Sequence, residues 1–215
     1  MPFALRTTME EPTCLVVCNG PWPMPSVLAM ALDGPNIVVA CDGAVVPCME
    51  HDVPVNAVIG DFDSLNQDML SSLHNMEVLE RPEQESNDLS KALAYAVEQG
   101  HTSVRVVGAT GGDMQHEWAN MLECAHLAID IEVIDERGRF CFLAPNVSHA
   151  IRVVPRRSFS LMALVAVNGL NLTGASYPLT NDQLDMGSRG LHNMATSDTV
   201  KLDYGSGRLM LVLPH

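Results

Sequence analysis

Two carboxylates stand two residues apart in Gly60-Asp61-Phe62-Asp63-Ser64, directly after the apolar run VNAVI at 55–59. Side chains at i and i+2 of an extended segment point to the same side. A pair of hard oxygen donors, with no base beside it in sequence, suits a hard cation such as Mg²⁺. Asp, Gly and Ser are also turn formers, so a plain turn is the alternative. Asp42 lies in a similar place, in Ala40-Cys41-Asp42-Gly43-Ala44 after another apolar run; by itself Asp-Gly is a common turn pair. Further on, Asp88 and Lys91 sit three apart near a helix start and share a face. Lys91 is the only lysine in residues 1–143, which makes it a candidate phosphate contact. The alternative is a surface ion pair worth about a few tenths of a kcal/mol.

Gly108-Ala109-Thr110-Gly111-Gly112 follows a strand-like run and precedes a helical one. Such a turn lets a phosphate approach backbone amides at a helix N-terminus, although glycine-rich strand–helix turns are common. His116, Trp118 and Asn120 come next. No second histidine stands four residues after His116, so this is not a zinc-protease helix. Trp118 is expected in the core. Neither common phosphate fingerprint is present: there is no G-x-x-x-x-G-K-[ST], and no G-x-G-x-x-G opens a helix after a strand. Near the C-terminus, residues 174–181 and 190–193 read as loops that carry Tyr177, His192 and Asn193.

These residues must be held by an alternation of strands and helices. TCLVVC (13–18), NIVVAC (36–41), VNAVIG (55–60), MEVLE (76–80), VRVVG (104–108), IEVID (131–135) and RFCFL (139–143) read as strands. Residues 24–32, 66–75, 86–99 and 113–128 read as helices, the third with Ser86 or Asn87 as N-cap and Gly100 as C-cap. Strands and helices alternating at this spacing predict a mostly parallel, Rossmann-like α/β domain over residues 1–145. Beyond Pro145 and Asn146 the pattern changes to short β-like runs: SHAIRVV, SFSLMALVAV, LNLTG, TVKLDYG and RLMLVL. Residues 146–215 are therefore expected to form a small all-β domain, with a Gly-Ser-Gly hairpin turn at 205–207 between the last two strands.

Composition narrows the function classes. The chain has 215 residues and a net charge of −14. Residues 1–143 hold 22 acidic and 6 basic side chains; residues 144–215 hold 4 and 6. Such a field argues against nonspecific nucleic-acid binding, which needs Lys and Arg to neutralise phosphates. If the first part binds a polyphosphate, a divalent cation must supply the missing positive charge. No apolar run approaches the ~20 residues of a membrane-spanning helix, and the first residues show no secretory h-region; a cytoplasmic location is the expectation. The six cysteines form no CxxC pair and no zinc spacing, and are expected as reduced core thiols.

Taken in order, the motifs resemble the thiamine pyrophosphokinase (thiamine diphosphokinase) family. The resemblance runs from about Leu15 to Leu213. Asp42-Gly43-Ala44 looks like that family's first acidic loop, and Gly60-Asp61-Phe62-Asp63-Ser64 matches its most specific motif. Gln84 with Asn87-Asp88-Leu89-Ser90-Lys91-Ala92-Leu93 resembles its Gln…Thr-Asp…Lys-Ala-Leu block. Gly111-Gly112, His116 and Asn120 resemble its Gly-Gly-Arg-x-Asp-His…Asn block, and Tyr177-Pro178-Leu179 with Gly190-Leu191-His192-Asn193 resembles the block that closes on thiamine. The departures are Asp113 for Arg, Gln115 for Asp, His192 for Ser and Asn87 for Thr.

The resemblance implies a fold, an activity and a set of roles. The fold is an α/β nucleotide-binding domain followed by a small β-sandwich, and the active form is a homodimer. The activity is transfer of diphosphate from ATP to the hydroxyl of thiamine, releasing AMP. Asp61, Asp63 and Asp88 would bind Mg²⁺ and, through it, the polyphosphate. Lys91 would contact phosphate as the β-phosphorus is attacked. Asp42 and Gln84 would order the metal–phosphate cluster. Gly111 and Gly112, with His116 and Asn120, would line the nucleotide loop. Tyr177, His192 and Asn193 would meet the acceptor. The departures keep two further readings open: a diphosphotransferase acting on another hydroxyalkyl heterocycle such as a pterin, and a catalytically weakened sensor of nucleotide or thiamine diphosphate.

Overall fold

The computed structural model describes residues 14–62 and 73–215. Asp63, Ser64 and most of the expected helix 66–75 lie outside the described residues; its last residues, 73–75, form a turn. The chain divides into two compact units. One runs to Cys124 and takes in Val133–Glu136; the other comprises Ala125–Glu132 and Arg137–His215.

In the first unit β1 (Cys14–Val17), β2 (Ile37–Cys41), β3 (Ala57–Gly60), β4 (Glu77–Glu80) and β5 (Ser103–Val107) stand in the order β4-β3-β2-β1-β5. Every neighbouring pair is parallel; Val16, for example, is opposite Val39 on one side and Val106 on the other. All four residues of β1 and of β3 are buried, as expected of strands covered on both faces. Helices α1 (Pro25–Leu32), α2 (Val45–Glu50), α3 (Asp88–Glu98) and α4 (Met114–His126) connect or follow them. In α3, Leu89, Ala92, Leu93 and Ala96 are buried at helical spacing. Asn87, not Ser86, is its N-cap, accepting the Ser90 N–H at 2.9 Å. Its C-cap is Gln99, and Gly100 comes just after. The short turn Asp42–Ala44 and α2 were not legible in the sequence. Pro47 masks α2 there, yet it sits in the first turn, where its missing N–H costs nothing.

In the second unit the strands are β7 (Gly138–Leu143), β8 (His149–Arg152), β9 (Ser158–Thr173), β10 (Leu179–Leu184), β11 (Asn193–Met194), β12 (Thr199–Asp203) and β13 (Ser206–Pro214); β6 (Asp130–Asp135) is divided between the units. The runs expected as two strands, SFSLMALVAV and LNLTG, are one 16-residue strand, β9. The expected hairpin at 205–207 does not form. Lys201–Asp203 pair antiparallel with Thr173–Asn171, and Ser206–Val212 pair antiparallel with Asn168–Ser160. β12 and β13 thus follow one another along β9 in the same direction. The Gly205 N–H bonds to the Asn168 carbonyl at 2.9 Å, and the glycines absorb a register shift rather than a reversal. Phe159, Leu161, Val167, Leu170, Leu202, Tyr204 and Leu211 form the core, and the Tyr204 hydroxyl donates to the Leu143 carbonyl. The class is the expected one: α/β, with parallel strands first and an all-β region after them.

Candidate active site

Strands β1 to β4 are laid down to one side of β1, and β5 returns to its other side. In an open α/β sheet, the crevice at the carboxyl ends of strands where the order reverses is where ligands bind. A cavity of about 670 Å³ lies there. Residues just past the strands line it: Cys18–Pro21 after β1, Cys41 at the end of β2, Asp61 after β3 and Gly108–Thr110 after β5. The starts of α3 and α4 supply the rest. Of the sequence-predicted residues, Asp61, Gln84, Asp88, Lys91, Gly112, His116 and Asn120 line this one cavity.

Glycine permits the close packing of the acidic loops. A Cβ on Gly60 would stand 2.7 Å from the Asp42 Cβ, so the Asp42 turn rests directly on the residue before Asp61. Asp42 is buried and is not among the lining residues. Likewise a Cβ on Gly108 (φ +69°) would meet the Cys18 carbonyl at 2.5 Å.

The electrostatics follow from too few cations. Lys91 Nζ is 3.3 Å from Asp88 Oδ1, and the lysine side chain is buried while the aspartate is about one-third exposed. Burial pushes the Asp88 carboxyl above the usual carboxylate range; Lys91 pulls it back, while the Asp42 and Asp61 carboxylates push it further up. Three carboxylates therefore act on one another against one ammonium. Among the described residues no three His, Cys, Asp or Glu side chains gather closely enough to hold a metal ion by themselves, and Asp63 is outside those residues. The donor chemistry and the excess of negative charge fit a hard divalent cation.

Other side chains tie the cavity walls together. Asn87 Nδ2 donates to Asn120 Oδ1 at 2.9 Å, and Asn120 Nδ2 donates to the Ala109 carbonyl at 2.8 Å. Ser90 Oγ donates to Glu123 Oε2 at 2.7 Å. Asn120 thus joins α3, α4 and the β5 turn. Asp113 Oδ1 accepts the Gln115 and His116 amides at 2.7 and 3.3 Å, as a helix N-cap does. Glu117 Oε2 accepts the Gly111 N–H at 2.8 Å. Gly111 does not line the cavity. Trp118, expected in the core, is 63% exposed. It falls on the outer stripe of α4 with Met114 and Leu122, while His116, Glu117 and Asn120 face the cavity. Sequence reading missed Asn19 and Glu117 as lining residues; the only signal was their position after strands β1 and β5.

Tyr177, His192 and Asn193 belong to the other compact unit. Tyr177 is exposed and His192 has φ +55°, its N–H donating to Ser160 Oγ at 3.1 Å. Asn193 is buried and bonds to the Tyr177 backbone. All six cysteines are free and buried, as expected. Among the described residues no helix is long and apolar enough to cross a membrane.

Known proteins share this fold. Residues 29–134 match the family model of the thiamin pyrophosphokinase catalytic domain. The chain is 25% identical over 184 residues to the thiamine pyrophosphokinase of Bacillus subtilis (strain 168), covering 82% of this chain and 86% of that one. It superposes on the thiamin pyrophosphokinase of Geobacillus thermodenitrificans with a TM-score of 0.77 and 25% identity, covering 94% and 97% of the two chains. The thiamin pyrophosphokinase of Candida albicans shares the fold, with a TM-score of 0.74 at 15% identity over 100% and 95% of the chains. Over residues 29–134 the chain is thus similar to the catalytic domain of thiamine pyrophosphokinases, which are transferases, and over most of its length it shares their fold.

Proposed function

We propose that this enzyme transfers diphosphate from ATP to the hydroxyl of thiamine, giving thiamine diphosphate and AMP, and that it requires Mg²⁺. The observation that carries the reading is the convergence of Asp61, Gln84, Asp88, Lys91, His116 and Asn120 on one cavity at the sheet's switch point. Residues 1–145 would be the catalytic domain and 146–215 the β-sandwich that binds thiamine.

Phosphoryl-type transfer asks mainly for positioning and for stabilisation of spreading charge. Asp61, Asp63 and Asp88 would hold the metal, with Asp42 and Gln84 in support. A divalent cation, when bound, neutralises charge on the polyphosphate oxygens. Lys91 is fixed by Asp88 at 3.3 Å, so its ammonium is aimed before substrate arrives. It would stabilise the charge that develops as the thiamine hydroxyl oxygen attacks. Gly112, His116 and Asn120, which line the cavity, would border the nucleotide. Tyr177 presents an exposed ring suited to stacking on a cationic heteroaromatic, with Asn193 fixing its backbone and His192 next to Asn193 in sequence.

A homodimer is part of the proposal. Exposed apolar side chains at helical spacing on α4 (Met114, Trp118 and Leu122) support it. Six free thiols suit a reducing, cytoplasmic compartment. The direct test is AMP release from ATP and Mg²⁺ with and without thiamine. Thiamine-dependent AMP is expected, and Asp61→Ala or Asp63→Ala should abolish it. Bound ATP with no AMP under any of these conditions overturns the proposal.

A further inference from the structure

The turn between β5 and α4 has the makings of an anion site, and the chain fills it with its own carboxylates. Glu117 Oε2 takes the Gly111 N–H at 2.8 Å, and Asp113 Oδ1 takes the amides of Gln115 and His116. Backbone amides before and within the first turn of a helix are the ones a phosphate would use. Asp113 acts here as an ordinary N-cap. Glu117 is different: it reaches back across the helix start to an amide six residues earlier in the loop. Both side chains also line the cavity, so that wall presents negative charge where its amides are already paired. Among the described residues that line the cavity, Lys91 at the start of α3 is the only lysine or arginine, held 3.3 Å from Asp88.

We infer that Glu117 is a specificity-determining residue: it occupies the Gly111 amide as an internal anion and confines the polyphosphate of a bound nucleotide to the Asp88–Lys91 wall. This rests on the reading of the cavity as the nucleotide site. A phosphate seated at Gly111 would have to displace Glu117 and then face Asp113 as well. At the other wall it meets the buried ammonium instead.

Inorganic tripolyphosphate with Mg²⁺ is the probe, titrated calorimetrically into the wild type, Glu117→Ala, Glu117→Gln and Lys91→Met. Glu117→Ala frees the amide and removes the charge, so binding should tighten about tenfold, the scale of a charge-assisted hydrogen bond. Glu117→Gln keeps an acceptor on Gly111 and should gain about threefold or less. Lys91→Met should weaken wild-type binding about tenfold or more. The Gly111 amide resonance, followed by ¹⁵N NMR, should move on titration in Glu117→Ala and stay still in the wild type. Because the Gln variant retains the hydrogen bond, it serves as the folded control if the Ala variant melts early. A Gly111 amide that shifts in the wild type, or Glu117→Ala binding no tighter than wild type, overturns the inference. Thiamine-dependent AMP release by the wild type is read separately: its absence beside a tenfold gain in Glu117→Ala would sink the proposed reaction and leave the internal anion standing.

Discussion

The side-chain amide of Asn193 holds the backbone of Tyr177 at both its polar groups: Oδ1 accepts the Tyr177 N–H at 3.1 Å, and Nδ2 donates to the Tyr177 carbonyl at 2.9 Å. The same Oδ1 also accepts the Met194 N–H at 2.8 Å. Asn193 is 7% exposed and Tyr177 71%. A buried amide therefore fixes the base of a ring that stands in solvent. Asn193→Ala removes three hydrogen bonds from a buried site and should cost about 1–3 kcal/mol in urea unfolding. Tyr177→Ala should leave the unfolding midpoint nearly unchanged. Under the proposed function both should raise the KM for thiamine more than they lower kcat, which steady-state kinetics would read.

Gly60→Ala tests the packing that brings the acidic loops together. The new Cβ would stand 2.7 Å from the Asp42 Cβ, and neither position is the end of a flexible side chain. The turn at Asp42 must shift. A loss of about 1–3 kcal/mol is expected from overpacking, with turnover falling further than stability alone explains. A fully active, fully stable variant would show that the contact between these loops does not matter.

Divalent cations should stabilise the protein through Asp88. Its folded carboxyl is raised above the unfolded value of 3.8, by burial first and by Asp42 and Asp61 after the opposing pull of Lys91. A raised acid stabilises the fold while protonated, fully below the unfolded pKa, and that contribution is lost as pH rises through the folded value. At neutral pH the ionised group is a cost that a cation relieves. Mg²⁺ should raise the Tm at about pH 7.5, less so near pH 5, and less in Asp88→Asn. Differential scanning fluorimetry with Mg²⁺ against EDTA measures it.

At the alkaline end the sign comes from groups that stay neutral in the fold. Burial pushes the thiols of Cys14 and Cys48 up to about 12, from 9.0. Tyr95 and Tyr204 rise to about 12 from 10.0, by burial first and, for Tyr95, by its hydrogen bond to Glu77. The unfolded chain ionises first. Stability should therefore be full below about pH 9 and fall steadily toward pH 12. Urea midpoints across that range would show it, and a thiol reagent at pH 8 should label native Cys14, Cys48 and Cys124 far more slowly than the denatured chain.

Elements built from short-range patterns were legible. β1, β2 and β3 are continuous apolar runs, and a run buried on both faces needs no knowledge of its neighbours to be recognised. The capped helix at 88–98 was legible too, because Asn87 bonds only three residues ahead. The Gly-Ser-Gly segment at 205–207 misled, because a turn-forming sequence states flexibility and not direction. Trp118 misled because helical spacing does not say which stripe of α4 finds a partner.

By itself, the sequence determined the residue types that can do chemistry: Asp61 and Asp88 after an apolar strand and at a helix start, one lysine in the acidic half, and a family pattern that orders them. These depend on neighbours within a few positions, whose interactions are local. Only the tertiary structure decided that β5 returns beside β1 and opens the crevice. It alone decided that Asn87 meets Asn120 across thirty-three positions. Those pairings are set by strand order and by which faces of the helices are buried. No local periodicity encodes either one, because both follow from the packing of segments that are distant in the chain.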